Sequence, residues 1–532
     1  MKARWLWAII IAGLLLRVLT INSALSFDEF IQTKAVIEAN PAGLDKYTEM
    51  NPLTTWTRIA VTKILGVHVW SLRLTSLIFA MLTLWLTYAF AKELYDKKTA
   101  AWAAALLSLS ALHALVSTSI SFDGAFLTFY TLLTMYCYAM LEKYSEKKWL
   151  ILTGISFGLC VLTKYPGVLV IIAIALYSLI RGRNIIKTIK ECAIISIIGI
   201  AVFSIFPIIA FLTDPSYFWA SWQHGSAYFR QREASIALLA IQYALAMMWI
   251  GPLLLFGYLL SWKARKKQDW IFHSLIIIIL AFYTFVVQDA FRPVERYFTI
   301  LLPALCILAG KYFASLNIKK WKLFWIVFPA MLAIDYTLSF LPAKILPFYP
   351  KTGFINAVAS LSWNFLVPFT GDQGPAGLYI SFLVIALAFI TSTACFVFAL
   401  VNKKKAAGIL LAAGLSLSVF FMLELSLHIS SPDISAAIKQ TANYVKDNSM
   451  PGPYYTFRDY AMRYYIGQDS ENFDFSTSPD DIKAKLEKGG TLIIIDFPAV
   501  DKNSALWKSL TSCEQKAVFA SKKVKLGYVY AC

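Results

Sequence analysis

The run Trp5–Leu25, WLWAIIIAGLLLRVLTINSAL, passes directly into Ser26-Phe27-Asp28-Glu29-Phe30. The first stretch is long and apolar enough to cross the hydrocarbon core of a bilayer as a helix. The acidic pair Asp28-Glu29 therefore falls at a water–lipid boundary, at the head of a long polar loop. Carboxylates held there can act on a polar acceptor while a lipid-linked substrate stays in the membrane. Met1-Lys2-Ala3-Arg4 is a basic start, and no small-x-small cleavage site follows, so the run reads as an anchor that is retained.

Composition carries the same message across the chain. Hydrophobic residues make up 58% and charged residues 15% of 532 residues, and mean hydropathy is +0.62. A soluble domain carries about 25% charged residues. The expected fold class is a polytopic α-helical membrane protein. The net charge of +18 is explained by its placement. From His428 onward the charges nearly balance, with 13 Lys/Arg against 12 Asp/Glu. The excess sits in short loops between apolar runs, which is topology signalling rather than nucleic-acid binding.

Thirteen apolar runs approach spanning length: 5–25, 69–91, 99–119, 122–141, 149–163, 166–180, 192–212, 236–260, 271–287, 297–315, 323–341, 378–401 and 408–427. About 13 transmembrane helices are expected from them. Basic clusters occupy every second connection: Lys2/Arg4, Lys92/Lys97/Lys98, Lys143/Lys147/Lys148, Arg181/Arg183/Lys187/Lys190, Lys263/Arg265/Lys266/Lys267, Lys319/Lys320/Lys322 and Lys403/Lys404/Lys405. All seven then fall on one side, the cytoplasm, and the alternation supports the count of runs. The N-terminus is expected in the cytoplasm of a cell (inner or plasma) membrane. The opposite face receives the long loops: 26–68, with helices lying along the membrane surface, then 213–235, 342–377 and the tail.

Residues 1–428 are read as the transmembrane domain and 429–532 as a small extracytoplasmic α/β domain. Within the latter, Ile434–Asp447 and Asp480–Lys488 read as helices, the second capped by Ser478, and Tyr454–Phe457, Thr491–Asp496 and Lys525–Ala531 as strands. Five of the seven cysteines lie in or beside apolar runs. Cys513 and Cys532 share the polar tail, where a disulfide is open to them if that region is outside.

Several polar residues stand out on the outer face. Asp28 is a general-base candidate for a hydroxyl acceptor, although an acidic pair also favours the start of a helix. Asp123, in Ser121-Phe122-Asp123-Gly124, enters an apolar run, where an ionisable residue is a functional candidate or a cap. Lys164, Arg292 and Arg296 are cations on the face that the positive-inside trend leaves poor in them, and a lipid phosphate would reward them. Arg296 has a plainer alternative, an ion pair with Asp289 or Glu295. Arg230 and Arg232 are weaker candidates. Asp335 and Glu424 lie in or at the ends of late runs, as proton-relay groups or buried partners of the arginines. The histidines are scattered, with no HExxH, Walker A or GxGxxG pattern. No cofactor is called for by a motif, and a divalent cation stays open.

At these positions the N-terminal third resembles GT-C glycosyltransferases of the protein O-mannosyltransferase and lipid A aminoarabinose transferase kind. The resemblance rests on Asp28-Glu29, on Met50-Asn51-Pro52-Leu53, on Leu65-Gly66 before Arg73-Leu74, and on Ala91–Tyr95. It continues through Asp123, Gly154 and Gly158, Leu162-Thr163-Lys164, and Glu295-Arg296-Tyr297 with Pro303. Asn51 stands where relatives often carry His, followed by a second Pro. The resemblance implies transfer of a sugar, with inversion, from an undecaprenyl- or dolichyl-phosphate donor to a lipid, glycan or protein acceptor. Asp28 would be the base or acceptor-orienting acid, and Glu29 and Asp123 would support it. Lys164, Arg292 and Arg296 would hold the carrier phosphate, with Asn51, Arg230, Glu295 and Tyr297 as weaker members. Nucleic acid is no partner in this reading; membrane lipids are.

Two rivals share many of these features. A transporter or flippase for a lipid-linked glycan should show internal repeats and broken helices, and no repeat is evident in the sequence. A glycan polymerase or ligase would use the same face.

Overall fold

The computed structural model describes residues 3–39, 52–120, 124–219, 236–286, 295–316, 322–347, 352–369, 377–401, 404–458, 461–475 and 477–532. Each of the thirteen apolar runs carries helix: Ala3–Thr20, Val69–Leu94, Lys97–Ser108 with Ala111–Ser117, Ala125–Tyr144, Lys147–Thr163, Leu169–Ile180, Ile185–Phe203 with Ile205–Thr213, Ile236–Ile250 with Pro252–Ser261, Trp270–Phe285, Leu302–Ser315, Lys322–Ser339, Phe382–Leu400 and Lys404–Leu427. Among the described residues, six spans are long and apolar enough to cross a membrane, or eight if each of two bent pairs counts as one. The chain is a multi-pass membrane protein. Several runs are interrupted: one pair bends by 65° between Ser108 and Ala111, another by 89° between Ile250 and Pro252. At the second break Gly251 takes φ +81°, which a residue with a Cβ adopts at a cost, and Pro252 has no N–H to continue the ladder.

The chain divides into two compact units. The first comprises Met1–Ile21, Gln32–Pro329 and Phe389–Met422. Its helices approach closely through small residues, as packing in lipid requires. The Leu302–Ser315 helix meets Lys97–Ser108 at Gly310, where a methyl group would come 2.8 Å from the Ala103 backbone nitrogen. The Pro52–Leu65 helix inverts the usual amphipathic pattern. Its buried face holds Thr54, Thr55, Arg58 and Thr62, while Ile64 is 82% exposed. A helix beside lipid can turn its apolar face outward and its polar face toward protein.

The second unit comprises Asn22–Ile31, Ala330–Ala388 and Leu423–Cys532. It contains a three-stranded sheet in the order β1 (Lys344–Ile345), β2 (Phe365–Phe369), β3 (Leu378–Ser381). Its larger sheet has five strands, β4 (Tyr454–Phe457), β5 (Ser470–Phe473), β6 (Thr491–Ile495), β7 (Glu514–Ser521) and β8 (Val524–Ala531), in the order β5-β4-β6-β8-β7. β4 runs parallel to both β5 and β6, and β8 runs antiparallel to β6 and β7. β6 is apolar without alternation because both of its faces are covered. Ile493 and Ile495 join Ile434, Ile438 and Phe497; Leu492 and Ile494 join Ile482, Leu486 and Trp507. The Ile434–Asp447 helix is capped by Asp433, which accepts from Ala436 N–H, and Pro479–Leu486 by Ser478, which accepts from Asp481 N–H. Cys513 and Cys532 are joined in a disulfide that closes the open end of the β7–β8 hairpin.

Candidate functional site

In the second unit, the acidic pair opens the Phe27–Glu38 helix. Ser26 and Glu29 form a reciprocal cap. Ser26 Oγ accepts from Glu29 N–H at 3.4 Å, and Glu29 Oε2 accepts from Ser26 N–H at 3.0 Å. The S-x-x-E spacing dictates this arrangement, and it places both carboxylates where the helix dipole favours them. Glu29 is 1% exposed and is engaged with the backbone. Asp28 is partly exposed at the same helix start. Ahead of the pair, Ala24 N–H donates to Ser435 Oγ at 2.6 Å and Leu25 N–H donates to Tyr465 OH at 2.8 Å, while Lys439 Nζ donates to Asn22 O at 2.6 Å.

In the first unit, Lys164 and Arg296 meet at one aromatic ring. Lys164 ends the Lys147–Thr163 helix, and Pro166 and Gly167 turn the chain into the 3-10 segment Tyr165–Val168. Arg296 and Tyr297 lie in a second 3-10 segment, Glu295–Leu301. Lys164 Nζ is 5.3 Å from the centre of the Tyr297 ring and the Arg296 guanidinium 5.4 Å. The ring is 7% exposed and stacks on Tyr283 with centroids 5.1 Å apart. The electron-rich ring face offers a favourable surface to both cations, and the site concentrates positive charge beside a fixed phenol.

Asn51, Asp123, Arg230, Arg232 and Arg292 lie outside the described residues, as does the side chain of Glu295. Glu424, in the second unit, accepts from Ser430 N–H at 3.0 Å and Ser431 N–H at 2.8 Å, so its carboxylate organises the turn after its helix. Asp335 is fully buried in the same unit. Among the described residues, no three His, Cys, Asp or Glu side chains gather in a way that would hold a metal ion.

Three arginines that the sequence reading did not single out as functional, Arg17, Arg58 and Arg73, are among the largest fully buried side chains. Arg17 spans the 65° break in the first unit. Its Nη1 donates to Gly13 O at 2.8 Å and Ser108 O at 3.0 Å, its Nε to Ser117 Oγ at 3.3 Å, and its Nη2 to His113 Nδ1 at 3.1 Å. Arginine only donates, so His113 accepts at Nδ1 and is neutral. The break frees backbone groups within an apolar run, and inside a bilayer such groups survive only if protein or a cavity takes them. Arg17 takes the Ser108 carbonyl. A cavity of about 10 Å³ between both breaks, lined by Leu109, Ser110, Gly251 and Ser418, has the room of a single water. Arg58 Nη1 donates to Gln32 Oε1 at 3.2 Å, and Arg73 Nη1 to Ile21 O at 3.1 Å. The signal was present at Arg17: a guanidinium inside an apolar run is a candidate by itself.

Comparison with known proteins adds the following. No curated protein matches the chain. Residues 49–209 match the family described as Dolichyl-phosphate-mannose-protein mannosyltransferase. The crystal structure of ArnT from Cupriavidus metallidurans bound to undecaprenyl phosphate superposes with a TM-score of 0.60 at 14% identity, covering 100% of this chain and 98% of that one. The same protein in the apo state gives 0.60 at 15% identity, covering 99% and 97%. The chain therefore shares its fold from end to end with ArnT and is similar to the GT-C glycosyltransferases.

Proposed function

We propose that this protein is an integral-membrane glycosyltransferase. It moves a sugar from a polyprenyl-phosphate donor to a lipid, glycan or protein acceptor on the extracytoplasmic face, with inversion. The observation that carries this reading is the convergence of Lys164 and Arg296 on the Tyr297 ring. A polyprenyl-phosphate sugar is a phosphodiester with one negative charge. As the acceptor oxygen attacks the anomeric carbon, the bond from that carbon to phosphate oxygen breaks and its electron pair stays with the oxygen. The departing polyprenyl phosphate gains a second charge. Cations fixed where this charge develops stabilise the transition state more than the ground state. Lys164 and Arg296, with Arg292, take that role.

Asp28 receives the acceptor hydroxyl proton, or orients an acceptor that is already ionised. Glu29 holds the helix start on which Asp28 stands, and Asp123 assists. The N-terminus lies in the cytoplasm and residues 429–532 form an extracytoplasmic domain, a placement supported by the Cys513–Cys532 disulfide, since such bonds persist on the oxidising side of a membrane. The ArnT structure with undecaprenyl phosphate supports a lipid phosphate as the carrier.

The test is incubation of the purified protein in lipid with a panel of radiolabelled polyprenyl-phosphate sugars, beside Asp28→Asn. Release of carrier phosphate with label transfer, lost in Asp28→Asn, is expected. One observation favours a second reading, transport of a lipid-linked glycan: the two broken spans, a feature of many transporters. No release across the panel, with tight binding of a lipid-linked glycan, would move the assignment there.

A further inference from the structure

The residues just ahead of Asp28 are tied to the far end of the chain. Ala24 and Leu25 have no exposed surface, so their N–H groups must find partners within the protein. Those partners are Ser435 Oγ at 2.6 Å and Tyr465 OH at 2.8 Å, and Lys439 Nζ adds a bond to Asn22 O at 2.6 Å. Ser435 and Lys439 lie one turn apart on the Ile434–Asp447 helix, and Tyr465 lies on Met462–Ile466. Ala24 also belongs to the same apolar cluster as Ile434, Ile438 and Met462. One residue after Leu25, Ser26 caps the helix that bears Asp28 in its first turn.

We propose that Ser435, Lys439 and Tyr465 are positioning residues: through Asn22, Ala24 and Leu25 they fix the helix start that presents Asp28, so the C-terminal domain is part of the catalytic apparatus. This rests on the role given to Asp28 above. A base must stand within hydrogen-bond reach of the proton it takes, and a displacement of about 1 Å can cost a hundredfold in rate. Asn22–Leu25 join the Ala3–Thr20 helix to the helix that bears Asp28. Two hydrogen-bond acceptors and one donor on two helices restrain this segment in position and in rotation.

The full chain is studied in lipid nanodiscs as Tyr465→Phe, Ser435→Ala and Ser435→Thr. Two readouts are taken: hydrogen exchange in residues 22–30, and carrier-phosphate release from whichever donor of the panel the native protein uses. Faster exchange in residues 22–30 for Tyr465→Phe and Ser435→Ala is expected. So is a fall of tenfold or more in kcat with KM for the donor lipid within threefold, and recovery of kcat in Ser435→Thr, which keeps the acceptor oxygen. A general loss of stability would lower the yield of folded protein and leave kcat per folded molecule unchanged. Unchanged exchange would overturn the anchoring itself. Faster exchange with native kcat would overturn the positioning role. If the native protein releases no carrier from any donor, the functional reading falls and the positioning role with it, while faster exchange would still establish the anchor.

Discussion

Replacing either cation beside Tyr297 is expected to weaken binding of a lipid phosphate. Lys164 and Arg296 lie 5.3 and 5.4 Å from one ring centre. Their charges are therefore no more than about 11 Å apart, a repulsion of at least about 1.5 kcal/mol at an effective dielectric near 20, before screening by salt. Each contact with the ring returns about 0.5–1 kcal/mol. The variants that test this are Arg296→Gln and Lys164→Met. With a phosphate bound, each cation adds a charge-assisted hydrogen bond of about 1.5–3 kcal/mol. Loss of one should weaken binding by roughly 10- to 150-fold. The assay is binding of undecaprenyl phosphate in nanodiscs at fixed salt, beside undecaprenol, which has the chain and no phosphate. The variants should lose affinity for the first and keep it for the second. Affinity for undecaprenyl phosphate within twofold of native, or an equal loss for both lipids, would refute the reasoning.

Glu29→Gln should keep carrier release within a few-fold of native, because glutamine can complete the same reciprocal cap, whereas Asp28→Asn should abolish it; an equal loss in both would give Glu29 a role through its charge. Cys513→Ser opens a link between residues 19 apart and should destabilise the C-terminal unit by about 3 kcal/mol, read as faster exchange in β7 and β8. Burial holds the Asp496 carboxyl above its usual range, against the pull of Lys502, the Val500 N–H and Arg458. The folded state thus binds this proton more tightly than the unfolded chain, so the associated stability is present below the usual carboxylate range and is lost as pH rises through the raised value. Asp496→Asn should flatten that fall, measured as a smaller change in β6 exchange between acid and neutral pH. Arg17→Met removes the hydrogen bonds to the Ser108 carbonyl and to His113 Nδ1, each about 1.5–3 kcal/mol for a charged donor, and should lower the unfolding midpoint, with Arg17→Lys intermediate.

Much of this protein could be read locally. The Ile434–Asp447 helix, β4 at Tyr454–Phe457 and β6 from Thr491 were visible because hydrophobic period, capping residues and apolar runs act over a few neighbours. The Ser26–Glu29 spacing likewise contained both a candidate acid and a cap. β5, Ser-Glu-Asn-Phe, and β7, with Glu514 and Lys516, were not recognised, since edge strands carry polar residues and exist through pairing. The placement of charge singled out Lys164 and Arg296 one by one, as cations on a face where the positive-inside trend leaves few. Only the tertiary structure brought both to Tyr297, joined Asn22–Leu25 to helices more than 400 residues later, and buried Arg17 across a helix break. Membrane insertion and helix formation follow from how each stretch meets lipid, water and its own backbone, so they are legible in the order of residues alone. Which polar groups share a site depends on packing between distant segments, whose partners local pattern does not name.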